Sequence, residues 1–267
     1  MNKAIFRFYV LLLVWQVLAA APVEVSLRSR VEAFKGSGQW QEVSIRQPVD
    51  TSKTAVVICD MWDNHWCSAA ARRVGLMVPR MVRTLDVLRN RGILIIHAPS
   101  ETMEFYKDSP QRAAILKLDP IAPPEPLNLA DPPLPVDASA GGCDTPDKFY
   151  KAWARQHPGI PIGPNDLVSD KGQEVYTALR TRGVTHILVM GVHTNMCILN
   201  RSFAVKQMTK WGLRCILVRD LTDAMYDPKA QPFVTHEQGT ELVIQHIEKY
   251  WCPTVESTEL LRVFGKR

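Results

Sequence analysis

Continuous apolar runs, more than alternation, mark the middle of the chain. Thr54-Ala55-Val56-Val57-Ile58-Cys59-Asp60, Gly92-Ile93-Leu94-Ile95-Ile96-His97-Ala98, Thr185 to Val192 and Arg214-Cys215-Ile216-Leu217-Val218-Arg219-Asp220 each read as a parallel strand buried on both faces, and Leu167-Val168-Ser169 as a shorter one. Between them the period changes to that of a helix. Ser68 to Arg91 carries Val74, Met77, Met81, Leu85 and Leu88 at steps of three and four and stops at Gly92. Gly172 to Arg182 turns Val175 and Leu179 inward, Ile198 to Met208 reads as a helix, and Glu241 to Tyr250 is the last clear one, before an edge strand at Thr254-Val255. Strands alternating with helices predict an α/β fold with a doubly wound, mostly parallel sheet and right-handed crossovers.

The two ends of this pattern and its centre behave differently. Val23 to Arg46 alternates in short segments around Lys35-Gly36-Ser37-Gly38-Gln39, which predicts an N-terminal hairpin laid on the main domain. Residues 110–164 hold 12 of the 19 prolines, so they read as an insertion or lid over a site, or as surface decoration. Lys3 and Arg7 precede an apolar run from Tyr9 to Leu18 that ends in Ala19-Ala20-Ala21, a signal-peptide pattern too short for a confident membrane span. The expected organisation is a signal peptide over 1–21 and one domain over 22–267, secreted or periplasmic, with no stable membrane span after signal removal.

Charge removes one class of partner. The net charge of +5 falls to +3 once Lys3 and Arg7 leave, no basic run is interleaved with aromatics, and no phosphate-loop glycine pattern occurs, so nucleic acid is not expected. Six cysteines, at 59, 67, 143, 197, 215 and 252, form no C-x-x-C pair. Cys59 and Cys215 lie in strand-like runs and read as buried thiols, whereas Cys67 and Cys143 lie in loop contexts that suit a bridge, without anything that pairs them.

The chemistry concentrates at Gly191-Val192-His193-Thr194-Asn195-Met196-Cys197, where a strand ends in a tight turn before a helix. Unpaired N–H groups there stabilise a thiolate and bind the oxyanion of an attacked carbonyl; a buried structural thiol is the competing reading. Asp60 closes another core strand at the end where open α/β sheets gather ligands.

With Asp60-Met61-Trp62-Asp63 in the first position and Gly191 to Cys197 in the second, the chain resembles the isochorismatase-like cysteine hydrolases over about Thr54 to Val255. The resemblance implies a six-stranded, Rossmann-like parallel sheet flanked by helices, and a catalytic triad of Asp60, Lys171 and Cys197. In that triad Asp60 takes the thiol proton and the lysine favours the charged state. It further implies a cis peptide between Val192 and His193, an oxyanion hole from the His193 and Cys197 N–H groups, and a homo-oligomer. Lys171 is carried over on the spacing of Asp166-Leu167-Val168-Ser169-Asp170-Lys171, although the Ser-Ala-Phe segment expected after it is missing; Lys107, Lys148 and Lys151 are alternatives.

Trp62, His97, Ser100 and Asn195 are the candidate substrate contacts. Asp63 and His65 stand close enough in sequence to consider a metal, but the family's Asp-x-His motif is absent from His97-Ala98-Pro99-Ser100, so no metal and no cofactor are expected. Arg201, one turn after Cys197, is assigned an ion pair with a nearby carboxylate, with thiolate stabilisation or an acidic substrate as alternatives; Asp220 and Asp223 read as loop-ordering carboxylates. The expected function is hydrolysis of a small-molecule amide or related C–N bond through a Cys197 thioester. A non-catalytic secreted binding domain on the same fold is the alternative.

Overall fold

The computed structural model describes residues 23–265, so the signal peptide expected at 1–21 lies outside the described residues. In chain order the strands are β1 (Val23–Glu32), β2 (Trp40–Val49), β3 (Thr54–Cys59), β4 (Leu94–Ala98), β5 (Leu167–Val168), β6 (His186–Val192), β7 (Arg214–Asp223) and β8 (Thr254–Val255). The helices are α1 (Ser68–Asn90), α2 (Met103–Tyr106), α3 (Pro110–Leu116), α4 (Gly172–Thr181), α5 (Cys197–Asn200), α6 (Val205–Lys210), α7 (His236–Tyr250) and α8 (Ser257–Phe264). Among the described residues, no helix is long and apolar enough to cross a membrane.

The strands form one sheet in the order β2-β1-β8-β7-β6-β3-β4-β5. From β8 to β5 every pairing is parallel, so the six-stranded doubly wound core expected from the sequence is present. The count is eight because the hairpin does not lie on the domain as expected. Instead β1 joins the sheet edge antiparallel to β8, at Arg28 opposite Thr254. Charge fixes it there: the buried Glu248 carboxylate accepts from Arg28 Nε at 2.6 Å, Arg30 Nε at 3.2 Å and Thr254 Oγ1 at 2.6 Å.

Alternation within each buried strand feeds two cores. Ala55, Val57 and Cys59 of β3 pack with α4, α6 and α7, whereas Val56 and Ile58 pack with Val74, Val78, Met81, Leu85 and Leu88 of α1 and with α8. Burial of both faces explains why these runs are mostly apolar. Strand order reverses between β6 and β3, so their carboxyl ends flank a topological switch point, the usual ligand crevice of such sheets. Gly191 is required there. It sits at φ 114°, and a Cβ on it would lie 2.0 Å from the Cys59 carbonyl oxygen.

The Pro-rich segment is tied down at several points. Ser109 caps α3 by accepting from the Arg112 N–H, with Pro110 in the first turn, so the segment begins with a helix. Farther along, a disulfide joins Cys143 to Cys67, the residue before α1, with Cα atoms 5.7 Å apart. Asp147 accepts from the Ser68 N–H at 2.8 Å and so caps α1 from the insertion. Residues Arg155 to His157 then run antiparallel to the loop after Asp60, through Asp63 N–H to Arg155 O at 3.0 Å and His157 N–H to Met61 O at 2.7 Å.

Candidate active site

Two strand ends build the site. Asp60 follows β3 with φ 46°, in the left-handed region, and its N–H continues the ladder to Ala98 O at 3.2 Å. That turn sends a fully buried carboxylate toward β6. One oxygen accepts from the Ser100 N–H at 2.7 Å and the other from Arg201 Nε at 2.9 Å. The Cys197 thiol lies near enough to the same carboxylate for the two to interact electrostatically. Val192-His193 is a cis peptide, as the resemblance implies, and the His193 N–H is directed at the Cys197 sulfur.

Electrostatics assign the resting protons. Burial raises the Asp60 carboxyl above the ordinary aspartate range, against the lowering effects of Arg201, the thiol and Ser100. Burial also raises the Cys197 thiol, and the adjacent Asp60 charge raises it further; Arg201 and the His193 N–H oppose this without overcoming it. Cys197 therefore rests as the thiol, and the stabilised thiolate anticipated at a helix start is not its resting form. The four-residue α5 offers little dipole to offset that burial and charge.

The cation beside Asp60 is Arg201. Lys171 is the N-cap of α4; its side chain is 66% exposed and reaches Asp170 at 3.6 Å, and the start of α4 is anchored elsewhere by Gly172 N–H to Ser202 Oγ at 3.0 Å. The geometry thus separates Lys171 from the other two triad candidates and brings Arg201 to them. This follows from a break in the helix predicted over 198–208. Arg201 is extended (φ −64°, ψ 147°) between α5 and α6, which folds its guanidinium back over Asp60.

The remaining candidates divide by what they touch. Trp62 is buried beside Asp60, donates from Nε1 to Ser100 O at 3.1 Å and stacks on Trp153 with centroids 4.3 Å apart. Ser100 holds Asp60 through its backbone N–H. His97 does not face the site: it is fully buried, with one ring nitrogen 2.9 Å from Gln156 Oε1 and the other 2.9 Å from Asp166 Oδ2. Asn195 is also committed, donating to Met225 O and accepting from Met225 N–H, both at 2.9 Å. Asp63 accepts from the Ala154 and Arg155 N–H groups. Among the described residues, the His, Cys, Asp and Glu atoms grouped tightly enough for a metal are those of Cys67, Cys143 and Asp144, and both sulfurs are in the disulfide.

Beneath the site, Asp223 receives His236 Nε2 at 2.8 Å and Arg73 Nε at 2.9 Å, and Arg73 also grips Asp144 beside Cys143 at 2.7 Å. Asp220 accepts from the Ser257 N–H and hydroxyl. Both aspartates thus order the chain around them. A cavity of about 40 Å³ opens next to Asp60 and is lined by Trp62, His65, His157 and His193 among others. Burial lowers the His65 imidazole to about 4 and the His193 imidazole to about 3, so both rings are neutral at physiological pH.

The family model described as isochorismatase domain matches residues 54–237, more than half of the chain. Among solved structures, a cysteine hydrolase from Pseudomonas syringae pv. phaseolicola 1448A is 16% identical with TM-score 0.54, over 83% of this chain and 96% of that one. An isochorismatase from Pseudomonas putida KT2440 is 14% identical, TM-score 0.49, over 79% and 92%. N-carbamoylsarcosine amidase from Thermoplasma acidophilum is 14% identical, TM-score 0.43, over 77% and 96%. At 16% identity the likeness to the Pseudomonas syringae protein is one of fold. No curated protein matches the chain.

Proposed function

Because this chain belongs to the isochorismatase family, whose model spans its core, we propose that it is a cysteine hydrolase cleaving a small amide or related C–N bond, with Asp60, Arg201 and Cys197 as its working residues. One observation carries the reading: a buried carboxylate, a guanidinium and a thiol meet at the switch point of the sheet. As the Cys197 sulfur attacks the carbonyl carbon, its proton passes to Asp60. The His193 and Cys197 N–H groups receive the developing oxyanion. Collapse breaks the C–N bond, the amine leaves with the proton from Asp60, and a thioester remains. Water then attacks the thioester, giving a proton to Asp60; the sulfur departs, regains that proton, and the acid is released. Arg201 favours the ionised form of Asp60, against the burial that raises it.

We also assign the chain to an oxidising, exported location. The Cys67–Cys143 disulfide and the charged-then-apolar N-terminal sequence support this. Screening purified protein against nicotinamide, carbamoyl compounds and short primary amides should release ammonia from at least one, and Cys197→Ala should abolish that release. A clean negative over the panel, with the Cys197 thiol verified as reduced, would sink the hydrolase reading in favour of a binding domain.

A further inference from the structure

The sheet ends differently on its two sides. One edge strand, β5, has two residues and offers a partner almost nothing, whereas the other, β2, runs for ten residues from Trp40 to Val49. Neighbouring contacts fix which way the β2 backbone faces. In β1 the Ser26 N–H points away from β2 and donates to Glu259 Oε1 at 3.0 Å, and Arg28 pairs with Thr254 of β8 on that same side. Antiparallel pairs alternate between hydrogen-bonded and non-hydrogen-bonded. The β2 residues opposite Ser26, Arg28 and Arg30, namely Arg46, Ser44 and Glu42, therefore turn their N–H and C=O groups outward. Pro48, which has no N–H to offer, falls in the same outward set, where an edge strand tolerates it. Among the described residues nothing hydrogen-bonds the outward backbone groups of Glu42, Ser44 and Arg46.

We propose that this edge binds a second copy of the chain, β2 antiparallel to β2 about a two-fold axis at Ser44, so that the two eight-stranded sheets become one. The sequence of β2 is self-complementary in that register. Glu42 and Arg46 are its charged residues and lie equally far from Ser44, so Glu42 falls opposite the partner's Arg46 on both sides of the axis. Registers centred on Glu42 or on Arg46 would set like charges opposite each other, which charge disfavours. Both groups have capacity for the contact. Glu42 is 51% exposed and meets Arg30 through Oε2 at 3.0 Å, which leaves Oε1, and the Arg46 side chain has no ion pair or hydrogen bond among the described residues. On the other face Val43 falls opposite the partner's Ile45. Ile45 is 42% exposed beside the buried Leu27 of β1, so the pairing extends the apolar surface of the sheet across the axis. Backbone bonds run both ways between Ser44 and the partner's Ser44, and between Glu42 and the partner's Arg46. Four strand spacings, about 19 Å, separate β2 from β6, so the pairing leaves the Asp60 and Cys197 strand ends open.

Sedimentation velocity on the purified full-length protein, with its disulfide intact, should show a dimer over the micromolar range. Arg46→Glu sets acids opposite acids across the axis, and Ser44→Pro removes the central N–H without taking a bond from β1, because that N–H faces outward. Each should raise the dimer Kd by about tenfold or more. Glu42→Lys should do the same by opposing bases. A mixture of Arg46→Glu with Glu42→Lys restores both charge pairs only between unlike chains, so it should form heterodimers at about wild-type strength. Residue-resolved hydrogen exchange should find the Glu42, Ser44 and Arg46 amides protected in the wild-type dimer and fast in Arg46→Glu, while Val43 and Ile45, which face β1, stay protected in both. A monomer throughout the range, a dimer that Arg46→Glu and Ser44→Pro leave unchanged, or a mixture of folded variants without heterodimers overturns the proposal. An assembly larger than a dimer supports it where both variants split that assembly and overturns it where they do not. If Glu42→Lys fails to fold by circular dichroism, since Glu42 also holds Arg30, then Arg46→Glu and Ser44→Pro decide.

Discussion

Asp60 is held by two donors and lies beside the Cys197 thiol, and each neighbour sets a different property of the proposed reaction. In the proposed mechanism Ser100 fixes its orientation, the Cys197 thiol is its proton source, and Arg201 sets the pH at which it is a base. Burial raises the Asp60 carboxyl and Arg201 lowers it, so the acid limb of kcat/KM should lie above the ordinary aspartate range. Arg201→Met removes a lowering influence, and the limb should therefore move to higher pH; a limb that stays put or moves down would show that Asp60 is not the group titrating. The same variant should cost about 10²-fold in rate as a lost electrostatic donor, whereas Lys171→Met, altering an exposed side chain, should leave steady-state rates at the wild-type level. Asp60→Asn and Cys197→Ser should each lose between about 10²- and 10⁴-fold, with the double variant little worse than either, because the two act on one proton.

At the scale of elements, what was legible in the sequence was whatever a single segment dictates. The apolar runs of β3, β4, β6 and β7 announced strands buried on both faces, and the Asp60 and Cys197 ends lie at the switch point of the sheet, where the sequence reading put the candidate site. Arg201 makes the carboxylate ion pair expected of it, but the identity of that carboxylate was not legible, because Asp60 is 141 residues away and Ile198 to Met208 has helical spacing, although Ser202 and Phe203 are drawn out of the helix by α4 and the core. His97 looked available at a strand end, yet Asp166 and Gln156 from distant segments take both ring nitrogens. Local signals were also passed over. Thr235-His236-Glu237-Gln238 is a capping box, and it starts α7 at His236, five residues before the apolar spacing begins. Thr235→Ala should lower stability by about 1 kcal/mol in urea unfolding with m unchanged. An unchanged midpoint would mean that the packing of Val243, Ile244 and Ile247 alone sets that helix end.

Across the whole molecule, the insertion is the part whose own sequence contributes least to its placement, and long-range fastenings replace secondary structure. Cys143 is bonded to Cys67, Arg73 grips Asp144, Asp147 caps α1, and Gln156 is locked to His97 and Tyr106. These fastenings surround the wall that carries Trp62, Trp153 and His65, so the site's shape depends on them more than on the sheet beneath. The disulfide closes a loop with a sequence separation of 76, for which chain-entropy reasoning gives a stabilisation of about 4 kcal/mol, less whatever native strain removes. The Cys67→Ser/Cys143→Ser variant should therefore unfold at a lower temperature by several degrees, and reductant should shift the wild type toward the variant while leaving the variant where it is. Hydrogen exchange locates the effect: protection should fall first in the insertion and at the start of α1, before β3 or β6, because the sheet is held by its own two cores. Uniform loss of protection across all strands would instead make the bridge a fastening of the whole domain, and equal melting with and without reductant would mean that Arg73, Asp144 and Asp147 hold the insertion unaided.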